Sequence, residues 1–179
     1  YLFTFPHHPI FSGTCNSWKG ISKYYTDMEM PSHENALDRV FLIGHRFDVI
    51  GYPLKKDSPY WQYVRDLIAL RQRIKADLYE SSFRDNLGTG PVPEKVEAKV
   101  FRHDRARSLT VTIVDRRQHK AEMTLTLNEA TLNVEGMRRG TLYTFDGKEL
   151  DVPVTRDGDE LCLMVPKRSH NAAAVIVRQ

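Results

Sequence analysis

The hydrophobic pattern of this chain changes period once. Tyr60, Val64, Leu67, Ile74 and Leu78 stand 4, 3, 7 and 4 residues apart, with Ile68 flanking them. Arg65, Asp66, Arg71, Arg73, Lys75 and Asp77 take the other side. That spacing predicts an amphipathic helix over residues 58–80, roughly 33 Å long at about 1.5 Å per residue. Ser58 is placed to cap it and Pro59 to occupy its first position. From residue 96 onward the period is two. Val96, Ala98 and Val100 alternate with charged residues; Leu109, Val111 and Ile113 alternate with Thr110 and Thr112. Ala121 to Leu127, Leu132 to Val134, Thr141 to Phe145, Leu150 to Val154, Leu161 to Val165 and Ala173 to Val177 complete eight predicted strands. Asp146-Gly147 and Asp157-Gly158 read as tight turns between them. Strands at about ten-residue spacing predict an antiparallel sandwich, each sheet burying one face and wetting the other. Pro153 and Pro166 are expected at strand ends, where a missing N–H costs little.

Upstream of the helix the pattern is mixed. Tyr1–Phe5 is aromatic and β-prone, and Pro6 and Pro9 stop it. Residues 7–27 form a long polar and aromatic loop. Residues 32–39 read as a short helix, with Ser32 at its cap and Glu34 in its first turn. The run from Arg39 to Gly44 (Arg-Val-Phe-Leu-Ile-Gly) is continuous and apolar, as expected of a strand buried on both faces. Gly88-Thr89-Gly90-Pro91-Val92-Pro93 separates the two patterns and predicts domains at 1–88 and 94–179.

Composition narrows the function classes. Apolar residues make up 41% of the 179, enough for a packed core. The net charge is +3, with 11 basic and 10 acidic residues up to position 90 and 15 against 13 beyond it. Neither half is a basic arm, so nucleic acid is not an expected partner. No apolar run approaches the ~18 residues of a membrane span. Cys15 and Cys162 make neither a disulfide framework nor a zinc quartet. The seven histidines show no metal-ligand spacing, and there is no Gly-x-Gly-x-x-Gly or Walker loop. No metal or cofactor is therefore expected.

Residues 39–48, the helix from Tyr60 to Lys75 with Leu70-Arg71 inside it, the exit at Ser82–Gly88 and the hairpins from Asp146 to Ala174 together resemble one architecture. It is the C-terminal part of a (β/α)8-barrel glycoside hydrolase with its trailing β-sandwich. The resemblance implies an α+β chain: a terminal strand–helix segment of the barrel, then an all-β antiparallel sandwich. Tyr1–Phe5 would be about the seventh barrel strand, Arg39–Gly44 the eighth, and 58–80 the last helix. Because barrels contact substrate through the loops after their strands, it points to His7, His8 and Trp18 after the first strand. It likewise points to His45, Arg46 and Asp48 after the second. A carbohydrate substrate and the remainder of a parent chain are the implied partners. The absence of an initiator Met reads as the tail of a longer protein, secreted or periplasmic if the parent had a signal peptide and cytoplasmic otherwise. The catalytic carboxyl pair is expected upstream of Tyr1, which would leave this chain alone inactive.

Each candidate has a simpler reading beside it. Asp48 binds a sugar hydroxyl, or pairs with Arg46, or caps a turn. Trp18 stacks on a sugar ring or fills a loop core. His45 and Arg46 hold substrate or make a salt bridge at the rim. Glu29 and Glu34 read as solvated or dipole-pairing, and Arg116-Arg117 and Arg138-Arg139 as solvated turn charges. The alternative function is a non-enzymatic carbohydrate-binding or interaction module. Beyond residue 91 only Phe101, Tyr143 and Phe145 are aromatic, few for a binding platform.

Overall fold

A computed structural model describes residues 11–13, 30–48 and 59–179. The expected strand Tyr1–Phe5 lies outside them. Strand β1 (Phe11–Gly13), helix α1 (Met30–Leu42) and strand β2 (Arg46–Asp48) come first. β1 and β2 pair in parallel, Phe11 opposite Arg46 and Gly13 opposite Asp48, so strand, helix and strand make one β–α–β unit. Helix α2 (Pro59–Arg73) and the short helix α3 (Lys75–Tyr79) follow. The described residues hold this one unit, not a barrel.

The reading of Arg39–Gly44 as a buried strand is overturned, because those residues finish α1 and its C-terminal turn. Leu37, Val40, Phe41 and Leu42 are all buried. A short apolar run fits a buried strand and the inner face of a helix equally well, and periodicity cannot separate them. The predicted strand is displaced to residues 46–48. The long helix starts at Pro59 as its sequence requires, but it breaks at Ile74 (φ −104°, ψ 13°) before α3.

Eight strands follow the linker, joined by β3 (Ser82–Asp85) ahead of it. They are β4 (Val96–His103), β5 (Ser108–Asp115), β6 (Met123–Asn128), β7 (Arg139–Thr144), β8 (Glu149–Val152), β9 (Val154–Asp157), β10 (Glu160–Val165) and β11 (Ala172–Arg178). The larger antiparallel sheet runs β3-β4-β5-β11-β7-β8, the smaller β6-β10-β9. Two boundaries differ from the sequence pattern. Leu150–Val154 is two strands, because Pro153 stands where the chain passes from one sheet to the other. Leu132–Val134 is no strand. Asn128 caps a one-turn helix, α4 (Glu129–Leu132), by accepting from Thr131 N–H, and Asn133 closes it at φ 51°. Leu132 and Val134 still reach the core without a strand between them.

The second correction concerns the wet face. Leu109, Val111, Ile113, Leu142, Ala173, Val175 and Val177 of the large sheet pack against Leu125, Leu127, Leu161 and Leu163 of the small one. The opposite face of the large sheet is not solvated. Phe101, Val114, Ala172, Ala174 and Ile176 share a second core with Phe41, Leu42, Leu67, Leu70 and Ile74 of the helices. Strands β5 and β11 are therefore buried on both sides, which accounts for the unbroken Ala-Ala-Ala-Val-Ile-Val of β11.

The polar residues of β5 are not a wet stripe. Thr112 Oγ1 donates to Leu42 O at 2.7 Å, satisfying a carbonyl at the C-terminus of α1. Thr110 Oγ1 donates to Asp77 O, and Ser108 Oγ to Asp77 Oδ1, with Arg178 reaching Asp77 Oδ2 at 2.9 Å. The break at Ile74 sets Asp77 against the sheet. Gly44 closes α1 at φ +68°, and a β-carbon there would come within 2.7 Å of the Phe101 ring. Gly44→Ala is expected to cost about 1–3 kcal/mol, since the left-handed backbone and a packed ring both oppose it. A urea melt within ~0.5 kcal/mol of wild type would refute this.

Candidate functional site

The sequence-singled residues do not gather into one site among the described residues. His7, His8 and Trp18 lie outside them, as does Glu29. His45 sits in the turn between α1 and β2, where its N–H donates to Val40 O at 3.1 Å. That is the N-terminal end of β2, opposite the end where barrel loops meet substrate. Its two ring nitrogens are enclosed and have no hydrogen-bond partner among the described residues. Burial, and then the Arg71 guanidinium, hold its pKa below the ordinary histidine range. Arg46 opens β2 and Asp48 ends it. Among the described residues, no three His, Cys, Asp or Glu side chains come together as metal ligands. No helix is long and apolar enough to cross a membrane.

The densest polar chemistry lies instead where the helices meet the sandwich. Asp38 is fully buried on α1. Its Oδ1 accepts from the Tyr63 hydroxyl of α2 at 2.5 Å, and its Oδ2 from Asn171 Nδ2, ahead of β11, at 3.4 Å. One carboxylate thus ties three elements together. Burial raises the Asp38 pKa, against the pull of its donors Tyr63 and Asn171 and of the Arg116 and Lys120 charges nearby. Burial and Asp38 raise Glu34, one turn earlier on the same helix. Burial and Asp38 push the Tyr63 hydroxyl far above the ordinary phenol range.

The sign of this coupling is testable. A carboxyl whose native pKa is raised stabilises the fold below its ordinary value of 3.8 and loses that contribution as pH rises through the raised one. Asp38→Asn keeps an acceptor for Tyr63 and cannot ionise. Its melting temperature is expected to vary less than wild type between about pH 4 and 7. An unchanged difference between those two pH values would refute the assignment.

Above Asp38 opens a cleft of about 330 Å³. Glu34, Gln62, Asp66, Ser169 and Asn171 supply its polar wall, with Tyr63, Phe145 and His170 beside them. Phe145 lies between two rings, 4.8 Å from Tyr63 and 4.9 Å from His170. Sequence reading missed Asp38, Tyr63 and Asn171. The available signal was a carboxylate on the buried face of α1, hidden because the helix was ended at residue 39.

A second buried charge lies at the other end of β5. Asp115 accepts from Arg117 through Nε at 2.9 Å and Nη2 at 2.7 Å, and from Arg168 Nη2 at 2.6 Å. Burial would raise its pKa, but Arg117 and Arg168 outweigh burial and hold it below the ordinary carboxylate range. Arg117 is thus not a free turn charge. Its neighbour Arg116 donates to Asn35 Oδ1 at 2.9 Å and pairs with Glu97.

No family model matches this chain, and no curated protein does. Solved structures do. A cycloisomaltooligosaccharide glucanotransferase of Paenibacillus sp., complexed with cycloisomaltoheptaose, superposes with a TM-score of 0.59 at 11% identity over 80% of this chain and 27% of that one. The debranching enzyme of Nostoc punctiforme gives 0.42 at 14% identity over 84% and 32%. The alpha-amylase of H. orenii gives 0.32 at 10% identity over 70% and 21%. Only the first score speaks to fold. It shows that helices covering one side of a two-sheet antiparallel sandwich also occur within that glucanotransferase, of whose length the chain spans about a quarter.

Proposed function

We propose that this chain is the end of a catalytic (β/α)8 barrel, residues 1–88, and its trailing β-sandwich, residues 94–179, from an enzyme that cleaves or transfers glycosidic bonds. The observation that carries the reading is a β–α–β unit and following helix whose helices pack onto one face of a six-stranded sheet, with 80% of the chain superposing on the glucanotransferase. In such an enzyme two carboxyl groups flank the scissile bond, one protonating the leaving oxygen. This chain's part is to hold the last helices of the barrel. Thr110 and Thr112 bind helix carbonyls, Ser108 binds the Asp77 carboxylate, Asp38 joins two helices to the sandwich, and Phe41 and Phe101 fill the joint. Asp48, at the C-terminal end of β2, is the substrate-side residue of this stretch.

The test is assembly. The 179-residue chain alone is expected to show no turnover of aryl glycosides or α-glucans. The same chain expressed with its upstream reading frame is expected to release or transfer sugar. Turnover by the isolated chain would place the catalytic pair within it and refute the reading. So would an upstream frame without strand–helix repeats.

A further inference from the structure

We infer that one end of the sandwich, where the β4–β5 turn, the end of β11 and the start of β7 meet, binds a linear polysaccharide carrying a carboxyl group on each sugar. The inference is independent of the barrel reading. Strand pairing gathers arginines here. Arg102 lies near the end of β4, Arg105 and Arg107 in the turn into β5, Arg138 and Arg139 where β7 begins, and Arg178 at the end of β11. Arg178 stands opposite Arg139 on one side and, on the other, opposite Ser108, the neighbour of Arg107. Paired strands lie about 4.8 Å apart, so Arg107, Arg178 and Arg139 span roughly 10 Å. Arg178 is paired with Asp77 at 2.9 Å and Arg102 with Asp104 at 2.8 Å. Arg105, Arg107, Arg138 and Arg139 are exposed, and among the described residues their side chains make no hydrogen bond or ion pair. Two carboxylates without an ion pair stand near them, Glu135 and, on β8, Asp151. The unpaired cations outnumber the unpaired acids, so the field at this end is positive.

Like charges opposite one another on paired strands weaken a sheet, and Arg139 opposite Arg178 is such a pair. A bound anion offsets that repulsion. The cations are all arginines, whose planar fork meets a carboxylate with two parallel hydrogen bonds. Beside them opens a cleft of about 410 Å³, lined in part by Arg102, Arg107, Asn133 and Gln179, within the ~300–1,000 Å³ range of ligand sites. Its amides and guanidinium groups match the hydroxyls and carboxyl of an acidic sugar. Its walls are fixed: Gln179 Nε2 donates to Glu135 O at 2.7 Å and Arg102 Nη1 to Leu132 O at 3.1 Å. Other polyanions fit less well. Among the described residues the exposed large apolar side chain is Leu87, in the linker turn, so this end lacks the apolar centre of a protein interface. No Phe, Tyr or Trp lines the cleft, so bases of a nucleic acid have no ring to stack on.

Calorimetric titration of the 179-residue chain with polygalacturonate, its methyl-esterified form, poly-glutamate and a DNA duplex tests the inference. At about 50 mM salt polygalacturonate is expected to bind with a dissociation constant on the order of 10 µM, and about tenfold more weakly at roughly 300 mM. The uncharged ester is expected not to bind. Arg107→Ala and Arg139→Ala are each expected to weaken binding about fivefold. Both side chains are exposed, so the fold should survive their loss. Lys167→Ala removes an equal charge from an exposed position between β10 and β11, at the opposite end of the sandwich, and should leave binding unchanged. No binding of polygalacturonate, equal binding of the ester, or the same loss in all three variants would each overturn the site. So would tighter binding of poly-glutamate or of the duplex. Failure here leaves the assembly test untouched, and failure of the assembly test leaves this site in place.

Discussion

Asp115→Ala is expected to destabilise the chain by about 3–5 kcal/mol, the cost of leaving a buried charge unpaired. Asp115 and the Arg168 side chain are 0% and 1% exposed. Arg168 donates to Asp115 Oδ2 and, through Nη1, to Pro166 O at 3.0 Å. Without the carboxylate its charge has no counter-ion in a place closed to water, while Arg117 is exposed enough to turn outward. The loss is therefore assigned mainly to Arg168, and Asp115→Ala combined with Arg168→Met should recover part of it. The pH dependence carries a matching signature. Because the native pKa of Asp115 is lowered, its contribution is present above the ordinary value of 3.8 and disappears as pH falls through the lowered one. The alanine variant should lack that part of the acid limb. Urea denaturation at neutral pH is the direct measurement. A loss below ~1 kcal/mol, or no recovery in the double variant, would show that the pair is not what holds this end of β5.

Phe41→Ala is expected to cost a similar ~3–5 kcal/mol, since it empties a fully buried site. Its location makes the effect selective. Phe41 belongs to the helix-side core with Leu67, Phe101 and Ala174, whereas Val111, Leu125 and Leu163 belong to the inter-sheet core. Hydrogen exchange should therefore show amides of α1 and α2 opening sooner, while those of β6 and β10 keep most of their protection. Equal loss of protection in both regions would mean that helices and sandwich open as one unit, and the selective account would fail.

The site was far less legible than the fold, for reasons visible at single residues. The candidates came from polar side chains near strand ends, and the strand assigned to Arg39–Gly44 proved to be helix. That shift of a few residues moved His45 from behind a strand to in front of one. It also concealed Asp38, which stands on the buried face of a longer helix than its cap signals delimit. Tyr63 looked like one more aromatic in an amphipathic helix. Nothing local in Asn171 or His170 places them beside residues more than a hundred positions away. Such pairings belong to the packing of remote elements, not to neighbours in sequence.

The sequence by itself determined the change of period, the helix opening at Pro59, the turns at Gly147 and Gly158, and the antiparallel strands. Each of these depends on side-chain alternation or on backbone preferences a few residues long. Tertiary structure decided the rest. It split residues 150–154 at Pro153 between two sheets and let Leu132 and Val134 reach the core from a capped turn. It also turned Thr110 and Thr112 from an expected wet face into partners for helix carbonyls. The physical reason is that alternation marks two faces of a strand without saying what covers each of them. A hydroxyl can face water or a helix carbonyl, and only the arrival of the helices on the large sheet chose the second.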